Sequence, residues 1–155
     1  MSLTVREQVV QKIVDLFTTV CAGIPLNDPY TVSWSLVTRY GLLEAQSKKR
    51  AVLRIDDPEE HKVARTGYYD CTLRVLLEWM YYTDPTGDVS EQANMLVGEI
   101  QRRVREDPSL GGIAFDCKEV GNTKEVGGPT ERVVQGVVFL NVQYRHAEND
   151  PRKIV

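Results

Sequence analysis

Histidine and cysteine, the residues that most often hold metals or act as nucleophiles, are scarce in this sequence: two histidines and three cysteines in 155 residues. Neither His61 nor His146 has a cysteine, histidine or carboxylate partner at metal-ligand spacing. Cys21, Cys71 and Cys117 each stand alone in an apolar stretch and are odd in number, so they read as buried thiols rather than a disulfide framework. Basic residues are not in excess: 19 Lys and Arg face 22 Asp and Glu, a net charge of −3, which argues against a sequence-independent nucleic-acid binder. No apolar run approaches the roughly 20 residues of a membrane span. Met1-Ser2-Leu3 leads directly into a polar helix, so no signal peptide is expected. A phosphate-binding loop is missing too, because Gly111-Gly112 precedes a strand and lacks the following lysine. The serines have no nucleophile-elbow context. These absences together predict a protein without metal, cofactor or enzymatic activity.

What is present is an ordinary folding sequence, 42% hydrophobic and 26% charged. Its length predicts one domain, residues 1–145, followed by a polar tail, residues 146–155, that extends or frays. Thr4-x-x-Glu7 forms a capping box. Val5, Val9, Ile13, Leu16, Phe17 and Val20 continue as an apolar stripe until Gly23-Ile24-Pro25 ends the helix. Tyr30, Val32, Trp34 and Leu36 alternate with polar residues at strand spacing, and Gly41 breaks them. Ala51 to Ile55 is a short strand closed by Asp56-Asp57-Pro58, and Glu59 to Gly67, without apolar period, reads as a mobile loop. Tyr68 to Tyr82 is the strongest strand, with Cys71, Leu73, Val75, Leu77, Trp79 and Tyr81 on one face. Arg132 to Arg145 is its counterpart, and Gly121-Asn122 and Gly127-Gly128-Pro129 bracket a hairpin tip before it.

The chain is organised around the stretch from Asp88 to Val120. Asp88 or Ser90 caps a helix whose Ala93, Leu96, Val97, Ile100 and Val104 recur at helical spacing, with Glu99, Gln101, Arg102, Arg103 and Arg105 on the other side. Asp107-Pro108 stops the helix, Leu110-Gly111-Gly112 turns the chain, and Ile113 to Lys118 leaves as a strand. Helices and hairpins interspersed in this order predict an α+β domain: a largely antiparallel sheet with two helices packed on one face. A strand of 15 residues extends about 50 Å at ~3.3 Å per residue, longer than a compact domain of this size is wide. The strands must bend, or their ends must project and offer backbone to another chain.

A helix ending Arg105-Glu106-Asp107-Pro108-Ser109-Leu110-Gly111-Gly112, then a strand, a glycine-rich hairpin and a long last strand ending Val142-Gln143-Tyr144-Arg145, resembles the tail-terminator (minor tail, or tail-completion) proteins of long-tailed bacteriophages. The N-terminal helix, the size and the spacing from Tyr144 to Asp150-Pro151 extend the resemblance over nearly the whole chain. It implies a structural virion protein of the tail–neck junction, assembled in the host cytoplasm. Such a protein forms a ring, a hexamer, that caps the tail tube, stops its polymerisation and offers a surface to the head–tail connector protein. DNA would be met only as the passing genome. A head-closure or neck protein is the neighbouring alternative, and a small-ligand-binding α+β domain is the alternative from another class.

Candidate interface residues are Leu42 and Leu43 as apolar anchors, the basic group Lys48, Lys49 and Arg50, and the hairpin residues Asn122, Thr123, Lys124 and Glu125. The acidic cluster Asp56, Asp57, Glu59 and Glu60 lacks calcium-loop spacing and is the candidate lining of a lumen that must not hold DNA.

Overall fold

A computed structural model describes residues 2–21, 34, 36–39, 51–83, 86–127 and 132–155. In chain order its elements are α1 (Val5–Cys21), β1 (Leu36–Thr38), β2 (Ala51–Ala64), β3 (Tyr68–Tyr82), α2 (Val89–Glu106), β4 (Asp116–Val126), β5 (Val133–Ala147) and β6 (Asp150–Ile154). The class is α+β. The strands form one mixed, mostly antiparallel six-stranded sheet in the order β1-β2-β3-β5-β4, with β6 joined to β5. Among the described residues the one parallel pair is β1 with β2, where Leu36, Val37 and Thr38 face Val52, Leu53 and Arg54.

The centre of the sheet is β3 against β5, in unbroken antiparallel register from Tyr68 opposite Ala147 to Tyr82 opposite Val133. Strict alternation in β3 buries Cys71, Leu73, Val75, Leu77 and Trp79, and Val134, Val138, Leu140, Val142 and Tyr144 answer from β5. Gly136 breaks the pattern for a steric reason. It lies directly opposite Trp79 on β3 and Lys124 on β4. A Cβ there would stand 2.1 Å from the Thr123 carbonyl oxygen and 2.7 Å from the Trp79 ring.

Both helices enter the same buried cluster as these strand residues: Val5, Val9, Val10, Ile13 and Phe17 from α1, and Ala93, Leu96, Val97, Ile100 and Val104 from α2. Thr4 Oγ1 accepts from the Glu7 amide at 3.2 Å, as the capping motif predicts. The Glu7 carboxylate instead meets Arg39. Asp88, in extended conformation, caps α2 by accepting from the Glu91 amide at 2.8 Å. One correction concerns the polar side of α2. Glu99 and Arg103 are buried, with Glu99 accepting from Arg102 at 2.8 Å and from Arg103 at 3.2 Å. Mutual neutralisation and hydrogen bonding make that burial tolerable.

Four further expectations need correction. β2 does not end at Ile55 but runs to Ala64, because a bulge between Asp56 and Glu59 absorbs Pro58 while β3 supplies the pairing. The segment read as a mobile loop, Glu59 to Gly67, is therefore strand and tight hairpin, closed by Gly67 at φ 84°. Gly121 and Asn122 do not open a hairpin tip: a second bulge, between Glu119 and Gly121, lets β4 continue to Val126. After α2, Leu110, Gly111 and Gly112 all take positive φ, so the chain keeps turning and the next strand starts at Asp116 instead of Ile113. Of the residues read as a polar tail, His146 and Ala147 complete β5, and Asp150–Ile154 form β6, which pairs with β5. The expected strand at Tyr30–Leu36 falls almost wholly outside the described residues, apart from buried Trp34, whose ring meets Phe17 edge-on at 6.1 Å, and Leu36, the first residue of β1.

Candidate assembly surface

The pleat gives the sheet two unlike faces. One face carries the core residues of β3 and β5, while Thr72, Arg74, Leu76, Glu78 and Met80 of β3, and Gln135, Val137, Phe139, Asn141 and Gln143 of β5, belong to a second face and are half-buried or exposed. Its charges are largely paired across strands. Arg54 of β2 meets Glu78 of β3. At the other end Asp70 accepts from Arg145 at 2.6 Å and from Arg65 at 2.9 Å. Those hydrogen bonds, the Arg145 one foremost, hold the Asp70 carboxyl below its ordinary range and raise Arg145. The Arg145 guanidinium is also stacked between two rings, 4.8 Å from Tyr68 and 4.6 Å from Phe115. Phe115 remains 57% exposed. Shallow clefts lie on this face among the described residues. One of 470 Å³ is bordered by Arg54, Glu78, Met80, Thr123 and Gln135, one of 330 Å³ by Asp70, Thr72, Phe115, Gln143 and Arg145, and one of 290 Å³ by Glu59, His61, Arg74, Val120 and Asn141.

The sheet's two sides end differently. On one, β1 pairs only with residues 52–54 of β2, so the rest of β2 is bonded to β3 alone among the described residues. On the other, β4 pairs with β5 alone among the described residues and leaves Val120 56% and Val126 43% exposed. Each edge carries one arginine clamp. Arg6 of α1 donates to the Asp57 carbonyl and, at 2.8 Å, to its carboxylate, which Arg39 joins. Arg105 of α2 donates to the Cys117 carbonyl at 3.1 Å and to Asp116 at 3.0 Å. Glu7, which hydrogen-bonds Arg39, raises the Arg39 guanidinium above its ordinary value. Exposed or half-exposed ion pairs of this kind contribute little to stability. Their effect is geometric: each engages one backbone carbonyl, of Asp57 in β2 and of Cys117 in β4.

No protein-family model and no curated protein matches the chain. Among solved structures, it is similar to a sheath/tube terminator of an extracellular contractile injection system, with a TM-score of 0.36 and 13% identity over 92% of this chain. The aligned part is 58% of that protein, so this chain spans little more than half its length.

The structure scatters the residues singled out from sequence. Leu42, Leu43, Lys48, Lys49 and Arg50 lie outside the described residues. Asn122, Thr123, Lys124 and Glu125 belong to β4. Lys124 points to the helix side and donates to Ser90 at 3.0 Å and Asn94 at 2.8 Å of α2, and Asn122 donates to Glu119 at 2.7 Å. Thr123 and Glu125 lie on the opposite face, where Glu125 accepts from Gln135. The acidic cluster divides across the bulge: Asp56 and Glu59 lie on the face away from the helices, opposite Leu76 and Arg74, whereas Asp57 is clamped by Arg6 and Arg39, and Glu60 meets Lys62 at 3.3 Å.

Other residues of this surface were not legible, Arg6, Arg39, Arg145, Phe115 and Lys118 among them. Their partners lie far away in sequence, and only strand register joins them. The extended C-terminus is secured similarly. Lys62 Nζ–H donates to His146 Nε2 at 2.9 Å, and His146 Nδ1–H donates to the Ala147 carbonyl at 2.8 Å. Among the described residues no group of three or more His, Cys, Asp or Glu is placed to hold a metal ion, and no helix is long and apolar enough to cross a membrane.

Proposed function

We propose that this protein is a structural assembly subunit that closes into a ring and caps a phage tail tube, the role its sequence resemblance implies. The observation that carries the assembly reading is the pair of unlike, partly open sheet edges, the distal half of β2 and the length of β4. A subunit with two different adhesive sides adds copies head to tail, and such a contact either closes into a ring or propagates as a filament. Termination requires closure: a closed ring has no lateral side left to recruit more copies. One ring face then matches the tail tube protein, and the other meets the head–tail connector protein without templating more tube. The resemblance implies six copies, and the assembled ring belongs at the tail–neck junction after assembly in the host cytoplasm.

In this reading both helices form one layer on a single sheet face, and the uncovered face looks into the channel. That face bears the carboxylates of Asp56, Glu59, Asp70, Glu78, Asp116 and Glu125 against the cations of Arg54, Arg74, Lys118 and Arg145, with Arg65 and Arg105 reaching Asp70 and Asp116 from beside it. A face without cationic excess suits a channel through which a genome must slide, because each cation–phosphate contact adds adhesion through counterion release. Of the candidate lumen residues, Asp56 and Glu59 belong to this lining, and Asp57 and Glu60 do not.

The test is to add the purified protein to polymerising tail tube protein encoded beside it and to measure tube lengths by negative-stain electron microscopy. Shorter tubes, each with a terminal ring, are expected. Unchanged lengths and bare ends would overturn the reading.

A further inference from the structure

Strand register carries the ring reading one step further, to the residues that join neighbouring copies. The paired positions cross the sheet in straight rows. Glu59 of β2 faces Arg74 of β3, Arg74 faces Asn141 of β5, and Asn141 faces Lys118 of β4. The next row runs His61, Thr72, Gln143, Asp116. Each row therefore begins on one side of the molecule and ends on the other at the same height.

Strand direction allows a second copy to continue these rows. β2 is antiparallel to β3, β3 to β5 and β5 to β4, so β4 runs opposite to β2. A second copy placed alongside without stagger brings its β4 antiparallel to β2 of the first. Lys118 of one copy then stands beside Glu59 of the next, and Asp116 beside His61. In the first row the ends are opposite in sign where they meet, with Glu59 lying between Arg74 of its own chain and Lys118 of its neighbour.

Both residues are available for this contact. The Glu59 side chain is 69% exposed and reaches Arg74 only at 4.0 Å. Lys118 is exposed and has no ion-pair partner among the described residues. The backbone close to these rows is already engaged, by Arg6 on the Asp57 carbonyl and Arg105 on the Cys117 carbonyl. Side chains, not a continuous hydrogen-bond ladder, are left to select the neighbour and its register.

We propose that neighbouring copies in the ring are registered by a Glu59–Lys118 ion pair between the β2 side of one subunit and the β4 side of the next. This rests on the ring reading above. A like-sided, two-fold arrangement would set Lys118 against other residues of β4 and would yield dimers.

The test is a charge-swap series on the full chain, read by native mass spectrometry and sedimentation velocity, with circular dichroism to follow folding. Glu59→Lys and Lys118→Glu should each raise the concentration at which rings form by about tenfold, since a favourable rim pair becomes a like-charge contact. The double variant Glu59→Lys/Lys118→Glu should recover at least half of that loss. Both side chains are exposed, so the melting temperature of the subunit should stay within about 2 °C. A wild-type protein that forms rings while either reversal is silent, or while the double variant fails to recover, overturns the ion pair and leaves the ring reading standing. Two-fold dimers overturn it as well. A wild-type protein that stays monomeric at every concentration overturns the ring reading itself.

Discussion

Replacing Gly136 by alanine adds one methyl group at the most crowded crossing of the sheet. The new carbon would stand 2.1 Å from the Thr123 carbonyl oxygen of β4 and 2.7 Å from the Trp79 ring of β3. Neither neighbour can yield easily. Trp79 is fully buried, and the Thr123 oxygen belongs to backbone whose strand is held in register with β5 from Gly121 to Val126. Overpacking of a tight core costs about 1–3 kcal/mol, and a clash with main chain as well as an indole ring puts this case at the upper end, about 3 kcal/mol. For a domain of this size each kcal/mol corresponds to roughly 2–4 °C, so the melting temperature should fall by about 6–12 °C. Urea denaturation followed by circular dichroism measures the loss directly. Gly98→Ala is the control: Gly98 is an exposed position in α2 with no atom within 4 Å of an added Cβ. There alanine should stabilise by about 0.5–1 kcal/mol by restricting the unfolded chain and favouring helix. A loss below 1 kcal/mol for Gly136→Ala, with m unchanged, would refute the packing argument.

Leu96→Ala should cost about 2–5 kcal/mol, because Leu96 is fully buried in the core between helix and sheet; a chemical melt showing less than 1 kcal/mol would contradict that placement. Burial pushes the Cys71 thiol up to about 11 and the Cys117 thiol up to about 12. Both should therefore resist alkylation at neutral pH until the protein is unfolded, as peptide mapping after iodoacetamide would report. The Asp70 carboxyl is held below its ordinary 3.8 by hydrogen bonds from Arg145 and then Arg65. A depressed carboxyl contributes stability that is fully present above the ordinary value and is lost as pH falls through the lower folded one. Asp70→Asn should accordingly flatten the acid side of the stability profile below about pH 4, and an unchanged slope there would exclude the role assigned to Arg145.

The elements that stood out in the sequence are those whose burial repeats with the period of their own backbone. The 3.6-residue stripe of α2 and the alternation of β3 both reach the core as read, and Asp88 does cap its helix. Elements held in place by a neighbour were misread. Asp56-Asp57-Pro58 has the chemistry of a stop, yet β3 pairs with the chain on both sides of it, and an edge strand tolerates a proline within a bulge. Gly121-Asn122 has the chemistry of a turn, but β5 keeps it extended. The burial of His146 was not legible, because its contacts come from Lys62 and Tyr69, some eighty residues away. The assembly surface was less legible still. Glu59 and Lys118 are unremarkable singly and become a complementary pair only when register sets them in one row.

The central claim, a self-closing ring, is tested most directly by the mass of the full chain in solution, from size-exclusion chromatography with multi-angle light scattering over a range of concentrations. The account predicts a single plateau at about six times the 17.6 kDa of one chain, with no larger species as concentration rises. A mass fixed at 17.6 kDa throughout, or one that grows without limit as open filaments do, would contradict it.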